Sequence, residues 1–303
     1  MVKLLHIGLG KCGSTFLQRE IFPQIEKKLE IEYIYFFANN YFKIDKKKIK
    51  YNAFENFKNI ENLLPNDFII SSEGLFSKSW EFSKIEKNFE CIKNNFSNDT
   101  VILIIIRNPY DLLNSIYCQN IHEMKIIKPD KFFYIDDKEM NITVNNRFNL
   151  HNFNYSELIS LYKSYFKKVV VVKYEKFQNL NFLKNIFNLD DEYLQELKKN
   201  TNKYYNKSIS KFGINFILFL NKFFDVNKSQ EFIRKFINPT NNIIFKIKNR
   251  ILSLFLLRSF FQSTFNRIVP YKKYYINRKS IPLDIEKEIL EYDKLDIWFT
   301  YLS

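Results

Sequence analysis

The sequence predicts an α/β chain built on a parallel, doubly wound sheet, with a glycine-rich loop closing the first strand and a mostly helical C-terminal part. Three observations predict it. Short apolar runs alternate with helical periodicity up to about Lys173; one run, Val101–Ile106, is six unbroken aliphatic residues; and three of the chain's five glycines, Gly8, Gly10 and Gly13, fall together after the first apolar run. Alternating strands and helices imply right-handed crossovers and parallel pairing, and an unbroken aliphatic run suits a central strand covered on both faces.

Val2–Ile7 reads as the first strand, and Phe16, Leu17 and Ile21 after the loop carry a helical period. Ile31–Phe37 reads as a second strand, and Phe68–Ser72, behind the turn residues Pro65-Asn66-Asp67, as a third. Val101–Ile106 lies between Asn98-Asp99 and Asn108-Pro109, and Pro109 opens a helix to about Met124. A helix over Tyr155–Phe166 leads into a strand at Val169–Lys173. Beyond Gln178 the pattern is helical, at Asp190–Asn200, Ile209–Phe224, Ser229–Ile237 and Asp284–Tyr292. With no repeat and no linker, residues 1–303 read as a single domain: an α/β core over 1–177 and a helical part of the same domain over 178–303.

With 303 residues and 46% apolar content the chain can bury a sizeable core. Its net charge of +14, from 47 Lys and Arg against 33 Asp and Glu, attracts anions of many kinds, including nucleotides, acidic glycans and lipid headgroups. Lysine and asparagine are abundant throughout, a bias that an AT-rich genome produces without any functional cause, so charge alone names no partner; a nucleic-acid partner is not expected. The three cysteines form no Cys-x-x-Cys pair and the three histidines no cluster, so no metal is expected and a reducing compartment fits. The N-terminus runs straight into a strand, and the apolar stretches Ile214–Leu220 and Ile251–Leu257 fall short of the roughly 20 residues that span a bilayer. A cytoplasmic protein is expected, these stretches being core helices or a patch in peripheral contact with a membrane. Oligomeric state is not legible.

Clustered glycines at a strand-to-helix turn let backbone N–H groups approach an anion, and the following helix adds its positive dipole. Lys11, Ser14 and Thr15 supply side-chain donors at the same place, so a phosphate outweighs a bare turn. Gly8 and Gly13 have the spacing of a nucleotide-triphosphatase loop, but Ser14 stands where its lysine belongs and Lys11 lies inside the loop. A second feature answers the first: Arg107, at the end of the Val101–Ile106 run, offers a bidentate fork for a phosphate, and Ser115 follows eight residues later on the helix. The bland alternatives are an Arg107–Asp111 salt bridge and an ordinary polar helix position for Ser115.

The order Gly10-Lys11-Cys12-Gly13-Ser14-Thr15-Phe16-Leu17 resembles the 5′-phosphosulfate loop of the sulfotransferase family, and Arg107-Asn108-Pro109 with Ser115 resembles that family's 3′-phosphate site. A softer match is Val170–Phe177, similar to the family's Tyr-Glu-x-Phe segment. The resemblance spans residues 4 to about 177. It implies a P-loop-type sulfotransferase fold, with 3′-phosphoadenosine 5′-phosphosulfate as donor, held by Gly10, Lys11, Cys12, Gly13, Ser14, Thr15, Arg107 and Ser115, and with no metal. Lys11 then stabilises charge on the leaving nucleotide, and Glu73, after Ile69-Ile70-Ser71-Ser72, is the first choice of general base for an acceptor, a glycan by preference.

His122, seven residues after Ser115 on one helix face, is the alternative base. Glu73 as a partner of Lys11 or as a helix cap is the structural alternative. His6 reads as a satisfied core histidine and His151 as a helix cap, and Phe76 or Trp80 could stack on adenine. The basic aromatic segments Lys246–Arg258 and Arg267–Tyr275 could line the acceptor cleft. Two rival readings stand beside this one: a P-loop kinase or hydrolase dependent on a nucleoside triphosphate, and a non-catalytic basic protein that binds anions or a membrane surface.

Overall fold

The computed structural model describes residues 2–35, 41–44, 47–50, 60–76, 82, 85–122, 127–136, 147–151, 153–201, 210–223, 271–295 and 300–301. Strand β1 (Lys3–Ile7) runs into the glycine loop and then into helix α1 (Ser14–Phe16), a π-helical segment (Leu17–Ile21) and helix α2 (Phe22–Leu29), which follow one another without a break in helical backbone. Strands β2 (Glu32–Tyr35) and β3 (Phe68–Ser72), helix α3 (Ile85–Lys93), strand β4 (Val101–Ile106) and helix α4 (Pro109–His122) come next. Helix α5 (Tyr155–Lys163), strand β5 (Lys168–Lys173), helices α6 (Asp191–Asn200), α7 (Lys211–Phe223) and α8 (Ile285–Lys294), and strand β6 (Thr300–Tyr301) complete the frame.

The sheet order is β6-β5-β4-β1-β3-β2. Five strands are parallel, an order compatible with a doubly wound fold, and β6 joins the edge antiparallel, Thr300 opposite Val169. From β1 the chain departs toward the β3 side, and from β4 toward β5. The connections diverge between β1 and β4, and in open α/β sheets that divergence leaves a crevice at the strands' carboxyl ends.

The core explains why β4 reads so clearly: all six side chains are at most 8% exposed. Burying an aliphatic side chain contributes about 1.5–3 kcal/mol, so this run outweighs any helical preference of its neighbours. Helix α3 buries Ile85, Phe89 and Ile92, spaced i, i+4, i+7, and sets Phe89 edge-on against Tyr162 of α5 at 5.3 Å. The π segment is pinned at both sides of one residue: Tyr33 Oη donates to the Gln18 carbonyl at 3.0 Å, and Gln18 Nε2 donates to Ser71 Oγ on β3 at 3.1 Å. Helix α4 starts where the chain provides a stop: Asn108 Oδ1 accepts from the N–H groups of Tyr110 and Asp111, and Pro109 takes the first helical position.

The expected elements that fall on described residues stand, with shifted ends. Strand β2 is Glu32–Tyr35, with residues 36–37 outside the described residues; α5 ends at Lys163, where the Ser164 N–H donates to the Ser160 carbonyl at 3.0 Å and to the Leu161 carbonyl at 3.3 Å and closes the last turn; and β5 begins at Lys168. The C-terminal part is less purely helical than its periodicity suggests, since β6 adds to the sheet. Two small pairs were also illegible, an antiparallel one at Tyr41–Ile44 with Lys47–Lys50 and a parallel one at Phe133–Tyr134 with Phe148–Asn149. The expected helix Ser229–Ile237 and the segment Lys246–Arg258 lie outside the described residues. Among the described residues no helix is long and apolar enough to cross a membrane.

Candidate functional site

Four strand ends meet at the carboxyl edge of the sheet, each carrying a polar segment. Between β1 and α1 the loop turns tightly: Cys12 N–H donates to the Leu9 carbonyl at 3.3 Å, and Lys11 and Gly13 both take positive φ, 66° and 85°. Gly13 needs to be glycine twice over, for its φ and because a Cβ would lie 3.2 Å from the rings of both Tyr174 and Phe177. Gly8 is glycine for space alone: a Cβ there would come within 2.8 Å of Ser14 Oγ and 3.1 Å of Glu73 Cγ. That crowding puts Glu73 directly alongside the loop. Its neighbour Ser72, not Glu73, caps the short 3₁₀ turn Glu73–Leu75, with Ser72 Oγ accepting from Gly74 N–H at 3.1 Å, so the capping role considered for Glu73 falls away.

Arg107, leaving β4, points back at the loop. Its Nη1 donates to the Lys11 carbonyl at 3.0 Å, and its guanidinium lies 4.6 Å above the Tyr174 ring. The Arg107–Asp111 salt bridge does not form; Asp111 pairs with Lys273 instead, so Arg107 has no carboxylate partner among the described residues. The backbone of Arg107 is held as firmly. Tyr155 Oη donates to its carbonyl at 2.8 Å, and the next N–H, of Asn108, donates to Glu175 Oε1 at 3.4 Å. Tyr292 of α8 donates to the other Glu175 oxygen. Burial holds the Tyr155 phenol well above its ordinary range, and burial followed by the bond to Glu175 does the same for Tyr292, so both remain donors.

Lys11 reaches across to α4, where its Nζ donates to Gln119 Oε1 at 2.8 Å. Gln119 lies one turn beyond the half-buried Ser115, on the same helix face, and this face lies over the loop. Cys12 sits at the centre: burial pushes its thiol far up, nearby Arg107 opposes this, and Glu73 and Glu175 add to it. Loop, Glu73, Arg107 and the Ser115–Gln119 face are thus brought together. His122 is the last residue of α4, two turns beyond Ser115.

Other expectations fail for physical reasons. Phe76 is 1% exposed and packs edge-on to Phe82 at 5.1 Å, so its ring is core and offers no face to a base; Trp80 lies outside the described residues. Asn154, rather than His151, caps α5 by accepting from Glu157 N–H. His6 is a core histidine only half satisfied, its Nδ1 2.7 Å from Ser71 Oγ and its Nε2 without a hydrogen-bond partner. Of Arg267–Tyr275 only residues 271–275 are described, and there Lys273 is taken up by Asp111. Gln119 and Tyr155 escaped the reading by sequence, although the i, i+4 spacing of Gln119 from Ser115 pointed to the former; Tyr174 and Glu175 were legible only as part of the Tyr-Glu-x-Phe-like segment, with no role beside Arg107.

Among the described residues no three His, Cys, Asp or Glu side chains stand together where they could hold a metal ion. The chain matches no protein-family model and no curated protein.

Proposed function

We propose that this chain is a sulfotransferase that moves the sulfuryl group of 3′-phosphoadenosine 5′-phosphosulfate to an acceptor hydroxyl or amine, with a carbohydrate as the favoured acceptor. The observation that carries the reading is the pairing of two anion-seeking features on adjacent strands: the loop after β1 and Arg107 after β4 flank the crevice and lie within one hydrogen bond of each other. A nucleotide with phosphates at both its 5′ and 3′ positions is the ligand such a pair suits.

In this reading backbone amides of residues 10–15 and the start of α1 hold the 5′-phosphate, while Arg107 and Ser115 take the 3′-phosphate. The acceptor oxygen attacks sulfur, the bond from sulfur to the bridging oxygen breaks, and adenosine 3′,5′-bisphosphate leaves. Lys11 places its ammonium beside the charge that grows on the bridging oxygen. Glu73, beside Gly8 on the β3 side, accepts the proton of the acceptor hydroxyl.

The test is calorimetry with adenosine 3′,5′-bisphosphate without magnesium and, in parallel, with ATP both without and with magnesium, on the wild type and on Arg107→Ala and Lys11→Ala. Bisphosphate is expected to bind more tightly than ATP. Arg107→Ala is expected to weaken it about tenfold to a hundredfold, the range for a lost charged hydrogen bond. Absent bisphosphate binding, or ATP binding that requires magnesium, would overturn the proposal in favour of a nucleoside-triphosphate enzyme.

A further inference from the structure

Arg107 has two jobs, and we infer that the second is to hold the glycine loop in its ligand-ready shape, so that the two anion subsites are coupled through the Lys11 carbonyl. The inference rests on the proposed function only in taking the loop as one anion subsite. Lys11 is a non-glycine residue at φ 66°, a conformation that for an L side chain persists only where its surroundings hold it. The hydrogen bond from Arg107 Nη1 is received by the carbonyl of that same residue. One peptide plane of the loop is therefore fixed by a side chain from the neighbouring strand.

The tie is stiff because Arg107 is fixed at its own two ends. Tyr174 provides a flat shelf beneath the guanidinium, and the same ring, with Phe177, closes against Gly13 on the far side of the loop. Tyr155 and Glu175 hold the backbone on either side of the Arg107–Asn108 peptide, and Tyr292 anchors Glu175 from α8. A planar fork lying on a ring keeps further N–H groups for an anion while one is committed to Lys11. A ligand at Arg107 thus finds the loop set, and a ligand in the loop finds Arg107 set. Each site lowers the ordering cost of the other.

Three proteins and two readouts test this. Arg107→Ala removes both charge and tie, Arg107→Lys keeps the charge and loses the planar fork, and the wild type has both. Hydrogen exchange of the amides of residues 9–14, without ligand, is expected to speed up about tenfold in both variants, while the amides of β4 keep their protection. Inorganic pyrophosphate, which has no second phosphate site to fill, is expected to bind about fivefold to tenfold more weakly to both variants, on the scale of one net hydrogen bond. Loop exchange identical to wild type in both variants overturns the inference, whatever binds. So does pyrophosphate affinity fully restored by Arg107→Lys, since charge alone would then account for the loss. Faster loop exchange together with absent binding of adenosine 3′,5′-bisphosphate to the wild type keeps the tie and removes the nucleotide reading.

Discussion

His6 makes the fold sensitive to acid in a way that can be isolated from every other group. It is fully buried on β1, shares a hydrogen bond with Ser71, and lies edge-on to Phe22 at 5.7 Å; burial holds its imidazole down to about 3, against 6.5 in an open chain. The unfolded chain therefore takes up a proton at a pH where the folded protein cannot. His6 costs the fold nothing above pH 6.5, and stability falls by about 1.4 kcal/mol per unit as pH drops from 6.5 toward 3. At pH 5 the loss is about 2 kcal/mol. Carboxylates titrate in the same range. Glu61 is held low because hydrogen bonds from Lys3 and Ser97 outweigh its burial, while Glu288 is pushed up to about 7 by burial and Glu291. A difference measurement cancels them: urea unfolding of wild type and His6→Asn at pH 7.5, 6.5, 5.5 and 5.0. Asn keeps a polar atom toward Ser71 and does not titrate. The stability gap between the two proteins is expected to move by about 2 kcal/mol in favour of the variant from pH 7.5 to 5.0. Parallel curves would refute the reasoning, because they would mean that the folded protein protonates His6 as readily as the open chain does.

Three more outcomes follow from the geometry. Gly13→Ala, strained in φ and pressed against two aromatic rings, is expected to lose about 2–3 kcal/mol in denaturant unfolding, and Gly8→Ala less, since it is crowded by Ser14 and Glu73 but carries no positive φ; equal losses would argue against the positive φ of Gly13. Asn114 bridges the Tyr274 carbonyl at 2.7 Å and the Ile276 N–H at 3.0 Å, so Asn114→Ala leaves two backbone groups unpaired and is expected to cost about 2–3 kcal/mol, with faster proteolysis at residues 271–280; wild-type resistance would show that this strap is held elsewhere. Of the three thiols, half-buried Cys91 is expected to react with a water-soluble disulfide reagent in the native state, whereas Cys12 and Cys118, the latter pushed up to about 12 by burial, stay silent until urea unfolds the chain. Rapid labelling of Cys12 would contradict a closed loop.

The centre of the sheet was legible because β3 and β4 are buried on both faces and so need no alternation: Val101–Ile106 and Phe68–Ser72 can be read to the residue. Strand β6 was not, because a two-residue edge strand takes its conformation from Lys168 and Val169 rather than from its own side chains. At the site, the glycines and Arg107 announced themselves by type and spacing. Their supports did not. Tyr174 stands in the Tyr-Glu-x-Phe-like segment, yet nothing local marks it as the shelf under a guanidinium that comes from 67 positions earlier in the chain. Gln119 is a polar residue on a helix until the loop is folded over it. The failure at Asp111 has the same origin: four residues from Arg107 on a helix start is a reasonable ion pair, but Lys273 arrives from the far end of the chain and takes it.

The central place of β1 carries a consequence for how the protein is made. This strand is translated before either of its neighbours in the sheet, yet it lies between β3 and β4, with Leu4 opposite Ile69 on one side and Val101 on the other. At about 5–20 residues per second, a ribosome takes roughly 2–6 s to pass from Ile69 to Val101. Throughout that interval the edge of an apolar strand that β4 will cover stands open. Slow stretches of message between the codons for Ser72 and Val101 would lengthen this exposure, and it is there, rather than in the helical half, that a nascent chain of this protein would draw most heavily on chaperones.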